Sequence, residues 1–308
     1  MIRIIILLHH YTFNLIHHIL PAQVDALYSL SYTIFIISPR EFFMTDIHNS
    51  SRVAAVTGAT GAIGKAIARQ LADFGFKVYL IARTESRALE VAENIRSLSG
   101  NPDVNHFLVD LSRKDSIIKL SQKWHGPLHV LVNNAATTPP QRLITPEGIE
   151  LQFATNVLGY FWMTTYFSEV LKKSSPSRVV NVASYWAGNL DLDDLEFTKR
   201  AYHNHDAYRQ SKQANRMLSP FFAKMYQNEG IIVNACHPGD VNSPLSNNLG
   251  FGGSQSPDEG AKTPVWLASS PEVKDITGKY FEDCKEVHCR FSDDLDQAGE
   301  LYEICKTY

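Results

Sequence analysis

From Arg52 to the C-terminus, short β-branched apolar runs alternate with longer segments whose apolar residues recur every three or four positions. Short continuous runs predict buried strands, and the longer period predicts amphipathic helices. The strand candidates are Val53–Thr57, Lys77–Ala82, Asn105–Val109, Val130–Asn133, Arg178–Ala183, Ile231–His237 and Gly278–Phe281. Helical stretches follow Gly61, Thr84, Ser112 and Pro146, and another surrounds Tyr208. This alternation predicts an α/β chain, a single Rossmann-type doubly wound domain with a seven-stranded parallel sheet and helices on both faces. Right-handed crossovers would bring the connecting loops, and any ligand, to one edge of that sheet. Thr145-Pro146 reads as an N-cap followed by Pro at the first helical position, predicting a long helix through Asn156. Ser243–Pro257, rich in Gly, Ser and Pro, reads as a mobile loop.

Residues 1–43 follow a different pattern. Ile4 to Leu8 is apolar, but His9, His10, Asn14, His17 and His18 interrupt it before Pro21, and Ile34 to Ile37 is too short to cross a bilayer. A poorly structured or targeting extension over 1–43 and a domain over 44–308 are the expected division. No clear membrane anchor is visible, and the cytoplasm is favoured, with N-terminal targeting or membrane association left open. Across 308 residues the net charge is -3 and 44% of positions are hydrophobic. That balance suits a folded chain and gives no electrostatic reason to expect nucleic acid. The four cysteines lack metal-ligand spacing, and the N-terminal histidines lack acidic or thiol companions, so no metal site is expected.

The first chemical signal is Thr57-Gly58-Ala59-Thr60-Gly61-Ala62-Ile63-Gly64, directly after the first strand and opening the first helix. Glycines there permit a tight turn and close backbone approach to a pyrophosphate, while the helix start supplies unpaired N–H groups and a positive dipole end. An NAD-binding domain usually carries an acid at the end of the second strand, but here the chain reads Ile81-Ala82-Arg83. The planar fork of Arg83, helped by Lys65 or Arg87, suits a 2′-phosphate, so NADP(H) is expected over NAD(H). Asp110, ending the third strand, is placed to accept from an adenine amino group or to cap the next turn. Tyr208 and Lys212 stand four residues apart on one helix face, which lets an ammonium sit below a phenol and favour its anion.

Asn133-Asn134-Ala135, Asn156, Ser184, Tyr208-x-x-x-Lys212 and His237-Pro238-Gly239 occur in the order of the short-chain dehydrogenase/reductase family, which the chain resembles from about Arg52 onward. Val180–Ser184, Ala207–Asn215 and Thr277–Phe281 look most like its retinol dehydrogenase-like and WW-domain oxidoreductase-like branch. The resemblance implies reversible hydride transfer between NADP(H) and a carbonyl or alcohol of an apolar small molecule, such as a retinoid, steroid or lipid aldehyde. It gives Tyr208 the role of general acid and base, Ser184 that of holding the substrate oxygen, and Lys212 that of binding the nicotinamide ribose. Asn156 would shape a water relay from Lys212. The implied cofactor set is Gly58, Thr60, Gly61, Ala62, Ile63, Gly64, Arg83, Asp110, Leu111, Asn134 and Ala135, then Tyr208, Lys212, Pro238, Gly239, Val241 and Ser243. Ser243 replaces a usual Thr and retains its hydroxyl. Homodimerisation through long helices is ordinary in such a family. Trp186, Leu245 and Phe251 are candidates to line an apolar pocket, with plain packing as the alternative.

Two departures keep rivals open. Ala62 occupies a usual glycine position, and Ala136 replaces the glycine that normally closes Asn-Asn-Ala-Gly. Glycines at 58, 61 and 64 also match sugar-nucleotide epimerases, although the stretch after Lys212 is short for their second domain. A module that binds NADP(H) to control a protein partner, without turnover, is a rival of another kind.

Overall fold

The computed structural model describes residues 52–308. The expected extension over 1–43, its histidines and the boundary at Met44 lie outside the described residues. Eight strands form one sheet in the order β3-β2-β1-β4-β5-β6-β7-β8. They are β1 Val53–Thr57, β2 Lys77–Ala82, β3 Val104–Leu108, β4 Val130–Asn133, β5 Ser177–Val182, β6 Ile231–Cys236, β7 Tyr280–Glu282 and β8 Lys285–Glu286. All pairings are parallel except β7 with β8, which is antiparallel. The expected seven strands are therefore present, and β8 adds a short hairpin edge. Its residues are charged and exposed, so no apolar run marked it.

Every residue of β1, β4 and β5 is buried, which is why these central strands read as nearly continuous apolar runs. On one face α1 (Ala62–Asp73), α2 (Glu85–Ser99) and the later helix Pro257–Ser269 supply Ile67, Leu71, Ile95 and Val265 to one apolar cluster. On the other face α3 (Lys114–Lys123), α4 (Gly159–Tyr166), the helix Asn204–Met225 and the C-terminal helix supply Ile117, Phe161, Met217 and Leu301. In chain order α5 is Ser168–Lys173, α6 Asn204–Met225, α7 Pro244–Asn248, α8 Pro257–Ser269 and α9 Leu295–Thr307. None of the described helices is long and apolar enough to cross a membrane.

Two local expectations are corrected. Thr145-Pro146 does not start a helix: the Gly148 N–H donates to Thr145 O, Gly148 has φ 88°, and Ile144 pairs antiparallel with Glu150. Pro146 thus sits at the second position of a turn, where its fixed φ is equally at home. The helix starts at residue 151, capped by the Glu150 carboxylate, which accepts the N–H groups of Gln152 and Phe153 at 2.8 and 2.6 Å. Likewise Ser243–Pro257 is not without structure. Ser243 and Ser246 form a reciprocal capping box at α7, and Val241 pairs with Gln255.

Candidate active site

The order of strands reverses between β1 and β4, and the turns leaving both meet there, at the point where open α/β sheets bind ligands. Gly58 has φ 63°, and a Cβ on it would lie 2.7 Å from Ala135 Cα. A Cβ on Gly64 would lie 2.3 Å from Gly58 O and 2.6 Å from Asn134 Nδ2. Two glycines are therefore demanded by close backbone approach, whereas a Cβ on Gly61 would lie 3.3 Å from Gly58 O, a milder crowding. Thr57 stitches the turns together: its Oγ1 accepts the N–H groups of Asn134 at 2.8 Å and Ala135 at 3.1 Å. Asn134 Nδ2 donates to Thr57 O at 2.9 Å. Gly61 forms the N-cap of α1 without a side-chain cap, and no acid occupies the first turn. The first-turn amides beside Ala62 and Ile63 are thus left for an anionic group, with Thr60 at the same turn.

Arg83 follows β2 at the same edge, exposed, with no hydrogen bond or ion pair among the described residues. Arg87 is exposed on α2, and Lys65 is partly buried on α1. Asp110 follows β3, and its Oδ1 accepts both the N–H and the hydroxyl of Ser112, at 3.0 and 2.7 Å. Leu111 is buried, and its carbonyl would lie 2.9 Å from a Cβ on Gly159.

Asn156 is fully buried within a π-helical segment, Phe153–Leu158, a local widening often found at functional sites. Its Oδ1 accepts from Thr137 N–H at 2.8 Å, and its Nδ2 donates to Thr137 O at 3.0 Å and Ser211 Oγ at 3.3 Å. Asn156 thereby fastens the turn after β4 to α6.

β5 and α6 supply the reactive cluster. Ser184 and Tyr208 are 6% and 7% exposed, and their side chains are hydrogen-bonded. Ser184 Oγ also accepts the Trp186 N–H at 3.0 Å. Lys212, 2% exposed, donates to Val182 O at 2.9 Å and stands 5.6 Å from the centre of the Tyr208 ring and 5.4 Å from that of Tyr160. Burial pushes the Tyr208 phenol up to about 12, against a lowering by the Ser184 bond. Burial also pushes Lys212 down to about 7. Burial thus works against the anion that the neighbouring ammonium favours. At neutral pH Tyr208 is a protonated phenol, which is the form that can give a proton to an oxygen.

After β6, Gly239 has φ 99°, and a Cβ on it would strike Gln255 Oε1. Pro238 and Gly239 are partly exposed at this edge, and Val241 is buried. Ser243 is committed to capping α7: its Oγ accepts the Ser246 N–H at 3.1 Å and bonds Ser246 Oγ at 3.2 Å. A cavity of about 560 Å³ opens beside this segment, lined by Tyr185, Trp186, Asp240, Phe251, Gly252, Gly253 and Ser254. Trp186 links it to the reactive cluster, its ring 6.0 Å from that of Tyr208. Leu245 does not line the cavity.

Sequence reading left several contributors out of the site. Thr57 and Thr137 are detectable only by their bonds, although Thr57 begins the glycine motif. Tyr160 OH shares Val182 O with Lys212, and Tyr185 and Asp240 sit on the loops after β5 and β6 without a motif of their own.

The model of the short chain dehydrogenase family matches residues 52–251. Human retinol dehydrogenase 13 is 33% identical over 255 residues, covering 76% of this chain and 77% of its own. Human polyprenol dehydrogenase is 33% identical over 271 residues, covering 80% and 82%. Among solved structures, a Pseudomonas aeruginosa RhlG/NADP active-site complex aligns with a TM-score of 0.61 at 26% identity, covering 75% of this chain and 94% of that one. With the glycine turn, the Ser184, Tyr208 and Lys212 cluster and these matches agreeing, the chain belongs to the short-chain dehydrogenase family.

Proposed function

We propose that the protein is an NADP(H)-dependent oxidoreductase interconverting a carbonyl and an alcohol on an apolar small molecule, of the retinol dehydrogenase-like branch. The observation that carries this reading is the convergence of Ser184, Tyr208 and Lys212 at the end of β5, across from the glycine turn after β1. The NADP of the Pseudomonas relative and Arg83, which has no partner among the described residues, support the phosphorylated cofactor. The residues fit the group: a backbone cradle around Gly58 and Gly64 for the pyrophosphate, and Arg83, without a partner among the described residues, for the 2′-phosphate. When bound, NADPH supplies a hydride to the carbonyl carbon.

The remaining steps belong to the chain. Ser184 orients the substrate oxygen with a hydrogen bond, and Tyr208, protonated across the neutral range, gives that oxygen its proton as the bond to carbon forms. Lys212, held by Val182 O and close to its own midpoint at neutral pH, is suited to resupply a proton to Tyr208. Asn156 keeps the turn after β4 in place beside them. In the oxidative direction the same phenol, once ionised, removes the alcohol proton. The test is NADPH consumption by the full chain against aldehydes, ketones and quinones, with NADH in parallel. The reading predicts NADPH-favoured turnover of at least one carbonyl class. Epimerisation of a sugar nucleotide without net NADPH use would replace it, as would tight NADPH binding that controls a protein partner with no turnover at all.

A further inference from the structure

The cavity's wall differs from what a long aliphatic chain would require. Three of its seven lining residues are the aromatics Tyr185, Trp186 and Phe251, and no aliphatic side chain lines it. Trp186 and Phe251 meet edge to face, with ring centres 5.3 Å apart and planes at 87°. Trp186 is braced behind by His205 at 5.3 Å and by the Arg209 guanidinium at 5.9 Å, which leaves it little freedom to swing away. Tyr185 packs on His237 at 4.6 Å, yet Tyr185 and Phe251 are each 51% exposed. Two large aromatic residues half in water at one cavity mouth are surface that a ligand would cover. The rest of the lining is Gly252, Gly253, Ser254 and Asp240, and the two glycines bring no side chain to it. The one charged residue of the lining is Asp240, exposed, hydrogen-bonded to the Tyr185 side chain, and without an ion pair among the described residues.

We infer that this cavity selects a planar aromatic carbonyl compound bearing a hydroxyl or amino group, with Trp186 and Phe251 as the ring-gripping residues and Asp240 as the acceptor for that group. Aromatic rings favour other rings by offset and edge contacts that a flexible chain cannot make, and an exposed carboxylate rewards a donor at the far end. The inference rests on the proposed reductase reading for its chemistry. The ketone C=O π bond breaks, a hydride from NADPH forms the C–H bond, a proton from Tyr208 forms the O–H bond, and NADP⁺ and a secondary alcohol leave.

Three ten-carbon ketones separate the alternatives: 6-hydroxy-1-tetralone, 1-tetralone and decan-2-one. Equilibrium dialysis against the full chain with saturating NADP⁺ reads binding without turnover, and NADPH consumption reads the reaction. Affinity should fall in the order given, by about 30-fold or more from first to last, the scale expected of one aromatic contact plus one charge-assisted bond. Phe251→Ala should narrow the gap between 1-tetralone and decan-2-one, and Asp240→Ala should erase the advantage of the hydroxylated ketone. Equal or tighter binding of decan-2-one, no binding of either tetralone, or a preference that both variants leave intact would overturn the inference. Turnover of decan-2-one without an aromatic preference would do so while leaving the reductase reading standing. The expected binding order without turnover would uphold the cavity assignment and count against the reductase.

Discussion

The two sides of the sheet's C-terminal edge are built by different means. Around β1 and β4 the site is shaped by backbone: Gly58 and Gly64 are excluded from carrying a side chain by neighbours at 2.7 and 2.3 Å, and the side chains of Thr57 and Asn134 bond to the main chain to tie the two turns together. Around β5 and β6 it is made of side chains: Ser184, Tyr208, Lys212 and the ring pair Trp186 and Phe251. The first side is shape without alternatives, suited to a ligand that does not vary. The second can exchange one ring for another without disturbing the sheet, which suits a substrate that differs between relatives.

That difference can be broken most severely at Gly58. Gly58→Val forces a branched residue to a positive φ, costing about 1–3 kcal/mol, and also drives its side chain into Ala135. NADPH affinity by calorimetry should fall by about 10²-fold or more. A variant that binds NADPH normally would show that the cradle is not backbone-defined. A smaller effect is expected at Arg83. Arg83→Asp removes the fork proposed for the 2′-phosphate, so the preference for NADPH over NADH should shrink by about 10–100-fold, the scale of a charged hydrogen bond. NADH binding should stay constant or improve, and an unchanged ratio would place phosphate selection elsewhere.

Asn156 lies on the seam between the two sides. Asn156→Ala leaves the Thr137 N–H and O without their partner and should lower stability by about 1–3 kcal/mol in urea titrations, with turnover falling more than NADPH binding. A further effect is a slope with pH. Lys212 has its folded value pushed down to about 7 from 10.5, so above pH 7 the unfolded chain holds a proton that the folded chain has released. Folding stability contributed by this group therefore rises with pH from about 7 to 10.5 and is flat below. The stability difference between wild type and Lys212→Met, measured by denaturant titration, should shift in favour of wild type across that window. A difference independent of pH would mean that Lys212 stays charged when buried.

Much of the backbone-built side was legible in the sequence, because close approach admits only glycine and glycine at fixed spacing is visible. The alternation of runs likewise announced β1 to β7 within a residue or two at each end. β8 escaped because an exposed Lys-Glu pair carries no apolar period. Thr145-Pro146 misled because Pro suits both a helix start and a turn, and only Gly148 two residues on distinguishes them. At the reactive cluster, spacing placed Tyr208 and Lys212 on one helix face, but it could not weigh burial against their attraction. Burial prevails, which leaves Tyr208 protonated. The cavity was least legible, since Tyr185, Asp240 and Gly253 come from loops whose meeting depends on the Val241 to Gln255 pairing.

The separation of a cofactor-holding side from a proton-moving side is tested most directly by one variant, Tyr208→Phe, titrated with NADPH and then assayed on the best carbonyl substrate. The account predicts NADPH affinity within about twofold of wild type and a turnover lower by about 10²–10⁴-fold, the usual worth of a general acid. Turnover that survives in the variant would contradict the account, since it would leave the proton without the donor assigned here.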